Sequence, residues 1–187
     1  MALSVALLEK IKNAKTTSGG NNIFDGQYVF EVHRLLLDGK FKGTMFIAEL
    51  GVLESEAVLP DVKPNMPGTT CSVAVNLDTN VSAPGNMKAV VLALLNKVEA
   101  ELSGDAFLKE VERLTGPDQP ARGMLIADET YRKTIQSGPN AGKPFTGHRW
   151  VHVDQTPAEV AERRKMIDAG TSMPKVEAPA AAPAVAK

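Results

Sequence analysis

Apolar and polar positions alternate with period two in several short runs and recur at helical spacing in others. Over Gly26–Asp38, Tyr28, Phe30 and Val32 share one face, with Glu31 and His33 on the other. Over Thr44–Ser55, Phe46, Ala48, Leu50 and Val52 alternate with Met45, Ile47 and Glu49. Both runs predict strands. Asp38-Gly39 between them is a turn dipeptide, and that decides against the helix which Met45–Leu53 would also allow. Glu54–Pro67 holds Pro60, Pro64 and Pro67 and reads as a loop. A third strand, Thr69–Leu77, follows, with Thr69, Cys71, Val73, Val75 and Leu77 inward.

Helical spacing takes over after this strand. Asn86 is placed to cap a helix running to about Leu102, with Val90, Val91, Leu94, Leu95 and Val98 as its apolar stripe. Asp105 caps a shorter helix through Leu114 that buries Phe107, Leu108, Val111 and Leu114. Leu3, Leu7, Leu8 and Ile11 predict a helix over Leu3–Lys15. Thr156-Pro157-Ala158-Glu159 is a capping box that opens a last helix, to about Ala169, with Gly170 beyond its end. Gly123–Thr130 and Phe145–Val153 flank a turn-rich centre, Gln136–Gly142, and predict a long hairpin.

Three strands, a helical insertion and a terminal hairpin predict a β-rich α+β fold. Its expected form is a five-stranded OB-like Greek-key barrel, with the helical insertion between strands 3 and 4 and helices at both ends. The expected division is residues 1–22 for the N-terminal helix and linker, 23–154 for the OB-like domain and 155–170 for the C-terminal helix. Residues 171–187 form a disordered Ala/Pro-rich tail in this reading.

Composition narrows the function classes. A charged content of 23% and a hydrophobic content of 43% suit a soluble globular protein, and no apolar run is long enough to cross a membrane. Met1–Lys10 lacks the pattern of a secretory signal, and the single Cys71, in an apolar strand, excludes a disulfide framework and makes a core residue. The expected location is cytoplasmic. The sequence shows no phosphate-binding Gly loop and no zinc spacing, and Pro60-Asp61-Val62-Lys63 lacks the paired carboxylate of a metal-dependent nuclease. The chain is therefore expected to be no enzyme and to carry no metal or cofactor.

The formal net charge is −1, yet between Thr130 and Val153 stand Arg132, Lys133, Lys143 and Arg149 with no acidic residue. The same stretch holds Tyr131, His148, Trp150 and His152, including the only Trp of the chain. Cations that meet phosphates and rings that stack on bases are what a sequence-tolerant single-strand binder needs. On the last strand, Val151 and Val153 are expected to face the core. That leaves His148, Trp150 and His152 on the open face, with Trp150 either a stacking platform or, alternatively, a core residue. His148 and His152 are about 13 Å apart on a strand, too far to share a metal ion. Lys40, Phe41 and Lys42 at the first hairpin tip repeat the cation–ring–cation pattern and are further candidates.

Gly26-x-Tyr28-x-Phe30, Pro67-Gly68-Thr69 opening a strand, Gly85-Asn86-Met87-Lys88 opening a helix and Gly142-Lys143 before the Trp strand carry a family likeness. Over Gly26–Asp154 the chain resembles phage-encoded OB-fold single-stranded-DNA-binding proteins of replication modules. The resemblance implies sequence-nonspecific binding of single-stranded DNA in phage replication or recombination, with replication or recombination proteins and a second copy of the chain as further partners. The alternative from another class is a phage structural or assembly protein that uses the same barrel for protein contacts.

Overall fold

The computed structural model describes residues 9, 11, 23–39, 43–79, 82–136, 138 and 140–170. The expected tail, the tip Lys40-Phe41-Lys42 and all of the first helix except Glu9 and Ile11 lie outside these residues. Glu9 and Ile11 are helical, and Ile11 is buried in the core.

Strands β1 (Gln27–Asp38), β2 (Met45–Glu56), β3 (Thr70–Asn76), β4 (Leu125–Thr134) and β5 (Pro144–His152) form one antiparallel sheet in the order β3-β2-β1-β4-β5. Three helices accompany it among the described residues: α1 (Ala83–Leu94), α2 (Gly104–Leu114) and α3 (Pro157–Asp168). The fold is β-rich α+β, and both α1 and α2 stand between β3 and β4 as the pattern predicts. The ladder ends at β3 and β5, which makes the sheet open.

Period-two alternation sets the inner face. Tyr28, Phe30 and Val32 of β1, Phe46, Ala48, Leu50 and Val52 of β2, and Val73 and Val75 of β3 are all buried there. Cys71 is only half-buried beside this core. Register shifts at Val29/Phe30 and Val32/Arg34 kink β1, so that Leu35 again faces the core after His33.

Helix α1 differs from its predicted bounds. It starts at Ala83, with Ser82 in the capping position, and Asn86 is a buried residue within it. It stops at Leu94 because Asn96 takes a left-handed φ of 51°, which Asn tolerates better than most residues. Val98 therefore leaves the stripe and is 61% exposed. All residues of α1 except Ala89 are buried, and it touches β3, β4 and β5, as a helix apolar on every side must. In α2 the cap position falls on Ser103 and Asp105 sits in the first turn, with Phe107, Leu108, Val111 and Leu114 buried as predicted.

Helix α3 has the predicted capping box between Thr156 and Glu159. It docks on Gly123, whose φ of 85° and close approach to Val160 O and Arg164 N leave no room for a side chain. Arg163 Nε donates to Gly123 O at 2.6 Å, and Gln155 bonds both backbone groups of Leu125, extending the sheet edge by one side chain. Leu94, 1% exposed, should cost about 2–5 kcal/mol on substitution by Ala. Val98→Ala should cost less than about 0.5 kcal/mol, as surface changes do. Urea unfolding of the two variants checks the boundary, and equal losses would place both residues on one buried stripe.

Candidate functional site

The register of the β4–β5 hairpin assigns each candidate to a face. Asp128 pairs with Trp150, Thr130 with His148, Tyr131 with Gly147 and Lys133 with Phe145. Ile135 and Lys143 close the hairpin through an amide-to-carbonyl bond of 2.9 Å, and Gly142, at φ 84°, returns its amide to Ile135 O. His148, Trp150 and His152 share the inner face with Ile126, Asp128, Thr130 and Arg132. Glu129, Tyr131, Lys133, Phe145, Gly147, Arg149 and Val151 share the outer face.

This reverses the expected orientation of β5. Trp150 is 9% exposed and His148 2%, whereas Val151 is 38% exposed. Trp150 is a core residue, its ring 6.2 Å from Phe30 and stacked on His148 at 5.7 Å. His148 goes inward because its Nδ1 shares a 2.6 Å hydrogen bond with Oδ2 of Asp128, buried on β4. Hydropathy ranks Val151 above His148 for burial; a satisfied polar pair overturns that ranking. His152 is held at the end of β5 by a 3.0 Å hydrogen bond to Ala93 O of α1.

Four buried atoms have no hydrogen-bond partner among the described residues: His148 Nε2, Trp150 Nε1, Asp128 Oδ1 and Glu31 Oε2. Each such group costs about 1–3 kcal/mol relative to a paired one. Three of the four cluster on the inner face of this hairpin. Burial pushes the Asp128 carboxyl above the usual range, and the bond from His148 offsets only part of that. Burial, reinforced by Asp128, pushes the Cys71 thiol up to about 12, so it is no activated nucleophile.

Next to this cluster, Asp25 receives Arg132 Nε at 2.6 Å and the Thr146 hydroxyl. Burial acts to raise its pKa, but these two donors together outweigh it and hold the carboxyl below its ordinary 3.8. Arg149 likewise meets Glu129 at 3.1 Å. The basic stretch is thus partly neutralised by acids from outside its own run. Lys133 and Lys143 have no carboxylate partner among the described residues; Lys143 Nζ bonds Asn140 at 3.1 Å. Lys133 Nζ lies 4.9 Å from the centroid of the Tyr131 ring. That ring crosses the strand above Gly147, where any Cβ would collide with it.

A cleft of about 1540 Å³ runs between β5 and α1. Tyr131, Lys133, Phe145 and Arg149 of the hairpin, Leu92 and Ala93 of α1, Val98, His148, Trp150 and Val75 of β3 are among the residues that line it. Sequence reasoning missed Asp25, Asp128, Gly147 and the α1 wall. The signal for Asp128 was present: it shares a period-two face with Ile126. Among the described residues no group of three His, Cys, Asp or Glu side chains is placed to hold a metal ion. No described helix is long and apolar enough to cross a membrane. Comparison with protein-family models, curated proteins and solved structures found no match to this chain.

The two carboxylates should respond to pH with opposite sign. The depressed pKa of Asp25 stabilises the fold above 3.8, and this contribution is lost as pH falls through the folded value. The raised pKa of Asp128 gives a contribution present below 3.8 and lost as pH rises through the folded value. In denaturation experiments the loss caused by Asp25→Asn should therefore be larger near pH 7 than near pH 3, and that caused by Asp128→Asn larger near pH 3. Losses that move together with pH would contradict the assignment.

Proposed function

We propose that the protein binds single-stranded DNA without sequence preference, as a non-enzymatic cytoplasmic component of phage DNA replication or recombination. The strand runs along the cleft between β5 and α1. The observation that carries this reading is the outer hairpin face: the Tyr131 ring laid across Gly147, Lys133 4.9 Å from that ring, and Phe145 and Arg149 beside them on the cleft wall. A planar ring offers a face to any base, and the cations hold the backbone whatever the sequence. The cysteine held in its thiol form is in keeping with a binding role. The strand order supports an OB-like barrel: β3 and β5 are the two ends that such a barrel brings together, and α1 touches both.

Replication or recombination proteins and a second copy of the chain remain partners in this proposal. One observation favours the rival reading, a phage structural or assembly protein. Among the described residues the edge strand β5 has no ladder partner on its outer side, and its own Val151 is exposed, which suits strand addition by another protein.

Fluorescence anisotropy with labelled oligo-dT and with duplex, at several salt concentrations, separates the two. Lys133 and Lys143, each neutralising one phosphate, should give a log–log salt slope of about −1.4 on the single strand. Release of Arg132 and Arg149 from their carboxylates would steepen it to about −2.8. Lys133→Ala should flatten the slope by about 0.7. Equal affinity for duplex and single strand, or no binding of either, overturns the proposal.

A further inference from the structure

The chain leaves α1 through a complete Schellman turn. Asn96, at φ 51°, gives its amide to Ala93 O at 3.2 Å, and Lys97 gives its amide to Leu92 O at 3.0 Å. The next residues form a turn of their own. Glu101 gives its amide to Val98 O at 2.9 Å and accepts the Val98 amide on Oε2 at 3.2 Å. Glu99 anchors this turn to the helix, because its Oε1 takes Nζ of Lys88, a side chain only 2% exposed, at 2.6 Å. A segment held at its start, centre and end has little conformational freedom left to lose on binding.

This segment presents a cation and an apolar side chain. Lys97 is exposed and Val98 is 61% exposed, and both line the cleft together with Tyr131, Lys133 and Arg149. Lys97 has no carboxylate partner among the described residues. Glu99 lines the cleft as well, but its charge is matched by that of buried Lys88. The basic lining is therefore not confined to the hairpin. We infer that the segment 96–102 is a second strand-binding element, in which Lys97 contacts a phosphate and Val98 packs on the adjoining sugar or base. This rests on the strand-binding reading and deepens it: hairpin and segment hold one strand from two elements and so fix its path through the cleft. Glu99 and Lys88 are positioning residues for that contact.

A lysine just past a helix end can instead serve the helix alone, by facing its C-terminal carbonyls. The test separates the two roles by combining salt titration with lysine footprinting on the full chain. Lys97→Ala should flatten the log–log salt slope for oligo-dT by about 0.7, as Lys133→Ala does. Lys109→Ala, on α2 and outside the lining of the cleft, should leave the slope unchanged. In the wild-type protein, saturating oligo-dT should abolish acylation of Lys97 and Lys133 by an N-hydroxysuccinimide ester, read by mass spectrometry, and spare that of Lys109. The footprint needs no variant, and a lysine that only serves α1 would keep reacting. An unchanged slope in Lys97→Ala, or undiminished acylation of Lys97 in a complex that protects Lys133, overturns the second element and leaves strand binding standing. Equal flattening by Lys109→Ala overturns it too, by reducing the effect to net charge. Failure of the wild type to bind oligo-dT at all overturns strand binding and the second element with it.

Discussion

The hydrogen bond from His148 to Asp128 joins two side chains with no exposed surface, on strands that pair at the edge of the sheet. Strand alternation makes any slip of one residue exchange the two faces of a hairpin. A slip between β4 and β5 would bring Glu129 or Arg149 into the core and strip the paired partner from Asp128 or His148. Breaking a buried polar pair leaves its remaining member desolvated and unsatisfied, which costs more than an intact pair contributes. The pair therefore specifies register more than it adds stability. The outer face is a consequence: with His148 inward, Gly147 and Arg149 must point outward, and the Tyr131 ring finds the one position on β5 that can lie beneath it.

The second constraint is volume. Helix α1 is buried on nearly all sides, with Met87, Val91 and Leu94 in the core. It stands against β3 and β5, the two end strands of the sheet. The cleft lies between β5 and this helix. His152 ties the two walls at one point through Ala93 O.

Electrostatics modify what the basic stretch can do. Surface pairs such as Arg149–Glu129 are worth little and exchange readily for another anion. The Arg132–Asp25 pair is different, because Asp25 is buried and also holds Thr146, so Arg132 helps to fix the inner face of the hairpin. Lys133, held against a ring, and Lys143, bonded to Asn140, keep their charge free of any carboxylate among the described residues.

Period-two alternation by itself determined three of the inner faces: Tyr28-Phe30-Val32, Phe46 to Val52 and Val73-Val75 each carry strong apolar signals that burial alone explains. The capping box of α3, the buried face of α2 and the turn-rich hairpin centre were equally legible, because each rests on contacts within a few residues. The orientation of β5 was decided by the tertiary structure. Its run of His, Arg, Trp, Val and His offers similar hydropathy on both faces, and the deciding partner, Asp128, is 20 positions away. The same holds for Asp25, which meets Arg132 across 107 positions and Thr146 across 121, and for the α1 wall of the cleft. Local patterns report how a segment buries itself; which polar groups meet inside depends on how distant segments pack, and no window along the chain contains both partners.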